Sequence, residues 1–135
     1  MRITLMIPLA LIAACTQTPA ETARAAQTEA ATQDALAKEF AGLVPGKPVS
    51  CISQFRNQSM KAYGPTIVYR VSGDLKYRSE TGGGCGRIGS GDVLVTKTPT
   101  GQLCSGDIAQ TFDAVARIPT GSCAFGEFVP YRKPS

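Results

Sequence analysis

Along residues 33–43, QDALAKEFAGL, the apolar positions Leu36, Phe40 and Leu43 recur at i, i+4 and i+7, one stripe of a short helix. Thr32 or Asp34 can cap its start, and Val44-Pro45-Gly46 ends it, because Pro and Gly disfavour helix continuation. From Lys47 onward the texture changes to short apolar runs divided by Gly, Ser, Asp and Pro. VSCISQF, TIVYRV, LKYRS, VLVTK, DIAQTF and SCAFGEFVPY each predict a strand. The expected fold class is all-β: a small twisted antiparallel sheet or partial barrel, preceded by a short helix and a disordered tether.

One hairpin can be registered from the pattern alone. If Ser72, Gly73 and Asp74 form the loop, Val71 faces Leu75 and Tyr69 faces Tyr77. Ile67, Tyr69, Val71, Leu75 and Tyr77 then share an apolar face, while Arg70 and Lys76 oppose each other on the other, with Arg78 beside Val68. A two-residue Gly-Asp loop would put Lys76 and Arg78 among the apolar residues, so three loop residues are expected. The opposed cations repel mildly, and Arg70, Lys76 and Arg78 form a face that an anionic partner could meet. A plain solvated face that guards against strand aggregation is the simpler reading. In that case, replacing all three with Gln changes stability little.

Upstream of the helix, residues 16–32 are rich in Ala, Thr, Gln and Glu, with almost nothing to bury, and read as a solvated tether. Residues 1–14 have Arg2 followed by an uncharged, mostly apolar run, the layout of an export signal, too short to span a bilayer. Cleavage after Ala20, or near Ala23-Arg24-Ala25, would make it an ordinary secretory signal. The sequence thus divides into a signal peptide (1–14), a cysteine and flexible tether (15–32), a helix and linker (33–46) and a β-domain (47–135).

Five cysteines and no histidine narrow the chemistry. Cys51, Cys85, Cys104 and Cys123 form an even set in the β-domain, and their spacings match no zinc ribbon, CxxC redox motif or haem-attachment motif. Two disulfides are expected, and a domain this small gains from such staples. Among three connectivities, the nested one is expected, Cys85 with Cys104 and Cys51 with Cys123, tying the end strands together. Without histidine, Ser-His-Asp triads and Cys-His dyads are excluded, and no carboxylates form an obvious acid–base pair. No catalytic residue, metal site or cofactor is expected.

Charge is divided along the chain. Residues 47–135 hold eleven basic and six acidic side chains, residues 16–46 two and four. The basicity is too diffuse for a nucleic-acid patch, so no nucleic-acid partner is expected. Ser-Gly-Asp occurs at 72–74, 90–92 and 105–107, each time before an apolar run. Turn chemistry explains it better than a calcium site built from Asp74, Asp92 and Asp107. Gly84-Cys85-Gly86-Arg87-Ile88-Gly89 spells GxGxxG, but a strand and another turn follow where a dinucleotide site needs a long helix. Loop geometry is the expected use of these glycines.

Three resemblances add to this reading. Ile12-Ala13-Ala14-Cys15 resembles the lipobox of bacterial lipoprotein signals. The resemblance implies that Cys15 is acylated and becomes the mature terminus, a membrane anchor consistent with two or three acyl chains holding firmly. Thr16 in the next position, not Asp, implies the outer membrane. The run Cys51-Ile52 with Phe55-Arg56, Thr66-Ile67-Val68-Tyr69, Gly84-Cys85, Gln102-Leu103-Cys104-Ser105-Gly106-Asp107 and Gly121-Ser122-Cys123 resembles small exported proteobacterial domains with four cysteines in the same order and no assigned activity. Val71-Ser72-Gly73-Asp74-Leu75-Lys76-Tyr77 is similar to the Ser-Gly-x-x-Tyr stretch of periplasmic lysozyme inhibitors, which implies Ser72 and Lys76 as cleft-plugging residues; the Trp-bearing motif of that family is missing. The expected function is therefore a cell-envelope lipoprotein, a structural or binding module that meets the membrane through its anchor and an anionic envelope component or envelope protein through its domain. The alternatives are an inhibitor of a secreted enzyme such as lysozyme, and an enzyme.

Overall fold

The computed structural model describes residues 17–54 and 58–135. Residues 1–16, with the expected signal segment and Cys15, lie outside them, as do Phe55, Arg56 and Asn57. The chain runs through helix α1 (Pro19–Glu39), then β1 (Val44–Pro45), β2 (Cys51–Ser53), β3 (Ser59–Tyr63), β4 (Thr66–Arg70) and β5 (Leu75–Thr81). A 3-10 turn (Gly86–Ser90) leads into β6 (Val93–Thr96), β7 (Gln102–Cys104), β8 (Ile108–Phe112) and the long β9 (Pro119–Arg132).

The helix begins about four turns before the expected start. Thr18 accepts from the Glu21 N–H, the Glu21 carboxylate accepts from the Thr18 N–H at 2.8 Å, and Pro19 sits in the first turn, a full capping box. Ala-rich sequence continues the helix from there. Residues 17–31 are exposed throughout, so this segment has as little to bury as its composition implies, although most of it is helical. Among the described residues, no helix is long and apolar enough to cross a membrane.

The main sheet is antiparallel, in the order β3-β4-β5-β9-β8-β6, and curls into a half-barrel. Its centre is β9, long enough to pair β8 through its first half and β5 through its second, with β1 against its last residues. All six expected strands are present. The short β1, β3 and β7 are additional: β3 turns Met60 and Ala62 toward the concave core and Tyr63 toward the helix, and β7 buries only Leu103.

The Ser72-Gly73-Asp74 hairpin has the expected register: Tyr69 opposite Tyr77, Arg70 opposite Lys76, Val68 opposite Arg78. Inside the curl, Ile67, Tyr69, Phe125 and Phe128 pack with Ile52 and Leu103 from the separate β2–β7 pair, which caps the concave side. The outer face is also buried where the end of α1 crosses it. Leu36 and Phe40 close over Tyr63 and the fully buried Val68, and the Phe40 ring stacks on Tyr131 at 3.9 Å. Burying each of Leu36 and Phe40 is worth about 1.5–3 kcal/mol.

The disulfide connectivity differs from the nested one. Cys51 is bonded to Cys104, and Cys85 to Cys123. The unexpected strand β7 explains the first bond, because it pairs with β2 and sets Cys51 directly opposite Cys104. The second follows from a crossing: the chain at Gly84 passes over β9 so closely that a Cβ on Gly84 would sit 2.0 Å from the Ser122 carbonyl oxygen, and one on Gly121 would sit 1.9 Å from that of Gly84. This contact lays Cys85 on Cys123, both nearly fully buried.

Candidate functional site

The face that carries Arg70, Lys76 and Arg78 is met by an anion from the chain itself. Glu39, the last residue of α1, points its carboxylate into the sheet. Arg70 donates from Nε at 2.7 Å and also from Nη2, Lys76 donates from Nζ at 2.7 Å, and the Tyr63 hydroxyl donates at 2.6 Å. Lys76 Nζ also donates to the Glu39 main-chain carbonyl at 2.5 Å, satisfying one of the carbonyls a helix end leaves open and placing a cation at the negative end of the helix dipole.

The electrostatics follow from this geometry. The Glu39 side chain is only 7% exposed. Hydrogen bonding from Arg70 outweighs the opposing effect of burial and, with Lys76 and Tyr63, holds its carboxyl at about 2. The same carboxylate pushes the Arg70 guanidinium further above its ordinary range. On the concave side, burial alone pushes the Tyr69 phenol up.

Around this clamp lies an open cleft of about 430 Å³ between the last turn of α1 and strands β3, β4 and β5. Lys38, Lys61, Arg70 and Lys76 line it together with Glu39 and Tyr63. Lys61 Nζ lies 5.0 Å from the centre of the Tyr63 ring, a cation–π contact. Among the described residues, neither Lys38 nor Lys61 has a carboxylate partner.

The other residues singled out in the sequence fall elsewhere. Arg78 is turned along the sheet to Glu80 at 2.7 Å, outside the Glu39 cluster. Asp74 pairs with Lys133 at 2.6 Å, Asp92 with Arg87 at 3.2 Å and with the Thr120 hydroxyl, and Asp107 accepts the Cys104 N–H at 2.7 Å. These three carboxylates serve three separate turns, and among the described residues no group of His, Cys, Asp and Glu comes together to hold a metal ion. The GxGxxG stretch is the Gly84 crossing followed by the short 3-10 turn, not a phosphate cradle. Ser72 accepts the Asp74 N–H within its own turn, and Lys76 is committed to Glu39, so this conformation presents no free Ser–Lys pair.

Sequence reasoning missed Glu39. The signal was present, since Glu39 lies three residues after Leu36 and beside Phe40, on the flank of the stripe that was expected to be buried. No protein-family model, curated protein or solved structure matches the chain.

Proposed function

We propose that this chain is a lipid-anchored protein of the cell envelope whose stapled β-domain serves as a structural or binding module on the periplasmic face, the outer membrane being favoured. The observation that carries this reading is the layout of α1. It starts at Pro19, just behind the lipobox cysteine Cys15, runs exposed through residue 31, and is then fixed to the sheet by Leu36, Phe40 and Glu39. Residues 19–31 of a helix span about 20 Å, so an acyl group on Cys15 would have a semi-rigid stalk holding the domain clear of the bilayer. Two disulfides suit an oxidising compartment. An inhibitor acting through Lys76 is not favoured, because that ammonium is already bonded to Glu39.

The test is expression of the full precursor in a Gram-negative host. Cys15→Ala should move the protein from the membrane to the soluble fraction, and labelled palmitate should be incorporated only when Cys15 is present. A mature terminus at Glu21 or Ala26 by mass spectrometry would overturn the anchor.

A further inference from the structure

We infer that the cleft beside the Glu39 clamp is a binding site for a phosphate-type anion, held by Lys38, Lys61 and the outer edge of Arg70. The inference does not rest on the lipid anchor. Four cations line the cleft and one carboxylate answers them, which leaves three positive charges over. Glu39 takes Nε and Nη2 of Arg70, and the Tyr63 hydroxyl also accepts from Nη2 at 3.4 Å, which leaves Nη1 as the outer part of a guanidinium that lines the cleft on a side chain 38% exposed. The N–H donors of Nη1 carry the charge-assisted hydrogen bonding that suits phosphate oxygens.

The inner ion pair prepares the site. Without Glu39, the side chains of Arg70 and Lys76 would repel each other across the strand pair, since they are directly opposed. With Glu39, both are held in fixed positions, and the guanidinium needs no reordering to accept a ligand. Tyr63 does the same for Lys61, whose ammonium rests over its ring. The negative end of the helix dipole would oppose an anion here, but Lys76 already covers the Glu39 carbonyl. Lys38 and Lys61 are exposed and make no ion pair among the described residues, so an incoming anion displaces nothing but water.

Phosphate carried on a lipid headgroup and free phosphate share this chemistry, and an experiment can separate them. The full chain carrying Cys15→Ala, which removes the acyl group, is titrated with inorganic phosphate while backbone amide NMR shifts are followed, with acetate at equal ionic strength as the control. Saturable shifts at Lys61, Tyr63 and Arg70, with a Kd on the order of 1 mM, are expected for phosphate and not for acetate. Lys38→Gln/Lys61→Gln should weaken the response about tenfold without changing the melting temperature. In parallel, the protein is sedimented with phosphatidylcholine vesicles with and without phosphatidic acid. Binding that needs phosphatidic acid and is lost in the double variant, without a response to free phosphate, assigns the ligand to a headgroup; a response to free phosphate assigns it to the soluble ion. Equal shifts with acetate and phosphate, a double variant that responds like the wild type, or no response in either arm would overturn the site.

Discussion

Glu39→Gln keeps the size of the side chain and one acceptor oxygen, but removes the charge to which Arg70, Lys76 and Tyr63 all donate. The Glu39 carboxyl is lowered from 4.5 to about 2, chiefly by the Arg70 hydrogen bond. A shift of that size corresponds to roughly 3 kcal/mol of stability. Because the Arg70 side chain is 38% exposed, water screens part of the interaction, and about 2 kcal/mol is the working figure. The folded-state value lies below the unfolded one, so this stabilisation is complete above about pH 5 and is lost as the pH falls toward 2. Urea unfolding of the wild type and Glu39→Gln should therefore differ by about 2 kcal/mol at neutral pH, a Tm loss on the order of 10 °C, and the two should converge as the acid limit is approached. A difference that stays constant from neutral pH down to about pH 2 would refute the titration argument. No difference at neutral pH would refute the clamp itself.

Other consequences are sharper than the sequence allowed. Replacing Arg70 and Lys76 with Gln should cost about 2 kcal/mol in chemical denaturation, whereas Arg78→Gln, which leaves a 51% exposed Glu80 side chain its Thr66 hydrogen bond, should stay within about 0.5 kcal/mol. Non-reducing peptide mapping should link Cys51 to Cys104 and Cys85 to Cys123; with sequence separations of 53 and 38, each bond is worth about 4 kcal/mol in the chain-entropy model. Converting both Cys85 and Cys123 to Ala should cost more than the same change at Cys51 and Cys104, because the first pair also leaves a void in the core. Gly121→Ala should destabilise by more than about 2 kcal/mol, read as a fall in Tm, because its Cβ meets the Gly84 backbone at the crossing and the Thr111 hydroxyl on β8, while Gly89→Ala has open space and should be nearly silent. Thr18→Ala should lower hydrogen-exchange protection in the first turns of α1 and leave the Tm of the sheet unchanged, since residues 17–31 touch nothing in the core.

Much of the sheet was legible because its long strands obey simple rules. The hairpin register followed from side-chain parity, since only one loop length keeps Lys76 and Arg78 off the apolar face. The stripe holds for Leu36 and Phe40, which are buried against the sheet, whereas the helix ends at Glu39, short of the expected Val44-Pro45-Gly46 stop, and Leu43 lies beyond it and is only half-buried. The early start of α1 is not legible, because a composition with nothing to bury points to no structure, whereas an exposed helix needs only good propensity and a cap. Nor was the cysteine pairing legible. Four cysteines allow three pairings, and the choice turned on the three-residue strand β7, whose single apolar side chain leaves no periodic signal.

The candidate site was half legible for a different reason. Local pattern placed Arg70 opposite Lys76, but the group that joins them lies 31 and 37 residues away in sequence. Two features nevertheless pointed to it. The TIVYRV run is apolar on consecutive positions rather than alternate ones, which marks a strand covered on both faces, and Val68 on the cationic face is indeed fully buried. Something apolar therefore had to lie beside Arg70 and Lys76, and α1 carries an apolar stripe that needs a partner. An acidic residue on the edge of that stripe, docked against two opposed cations, lets the helix bury its apolar side chains without burying unpaired charge. The repulsion between Arg70 and Lys76 is thus not a defect of the sheet but the feature that selects Glu39, and with it the position of the helix.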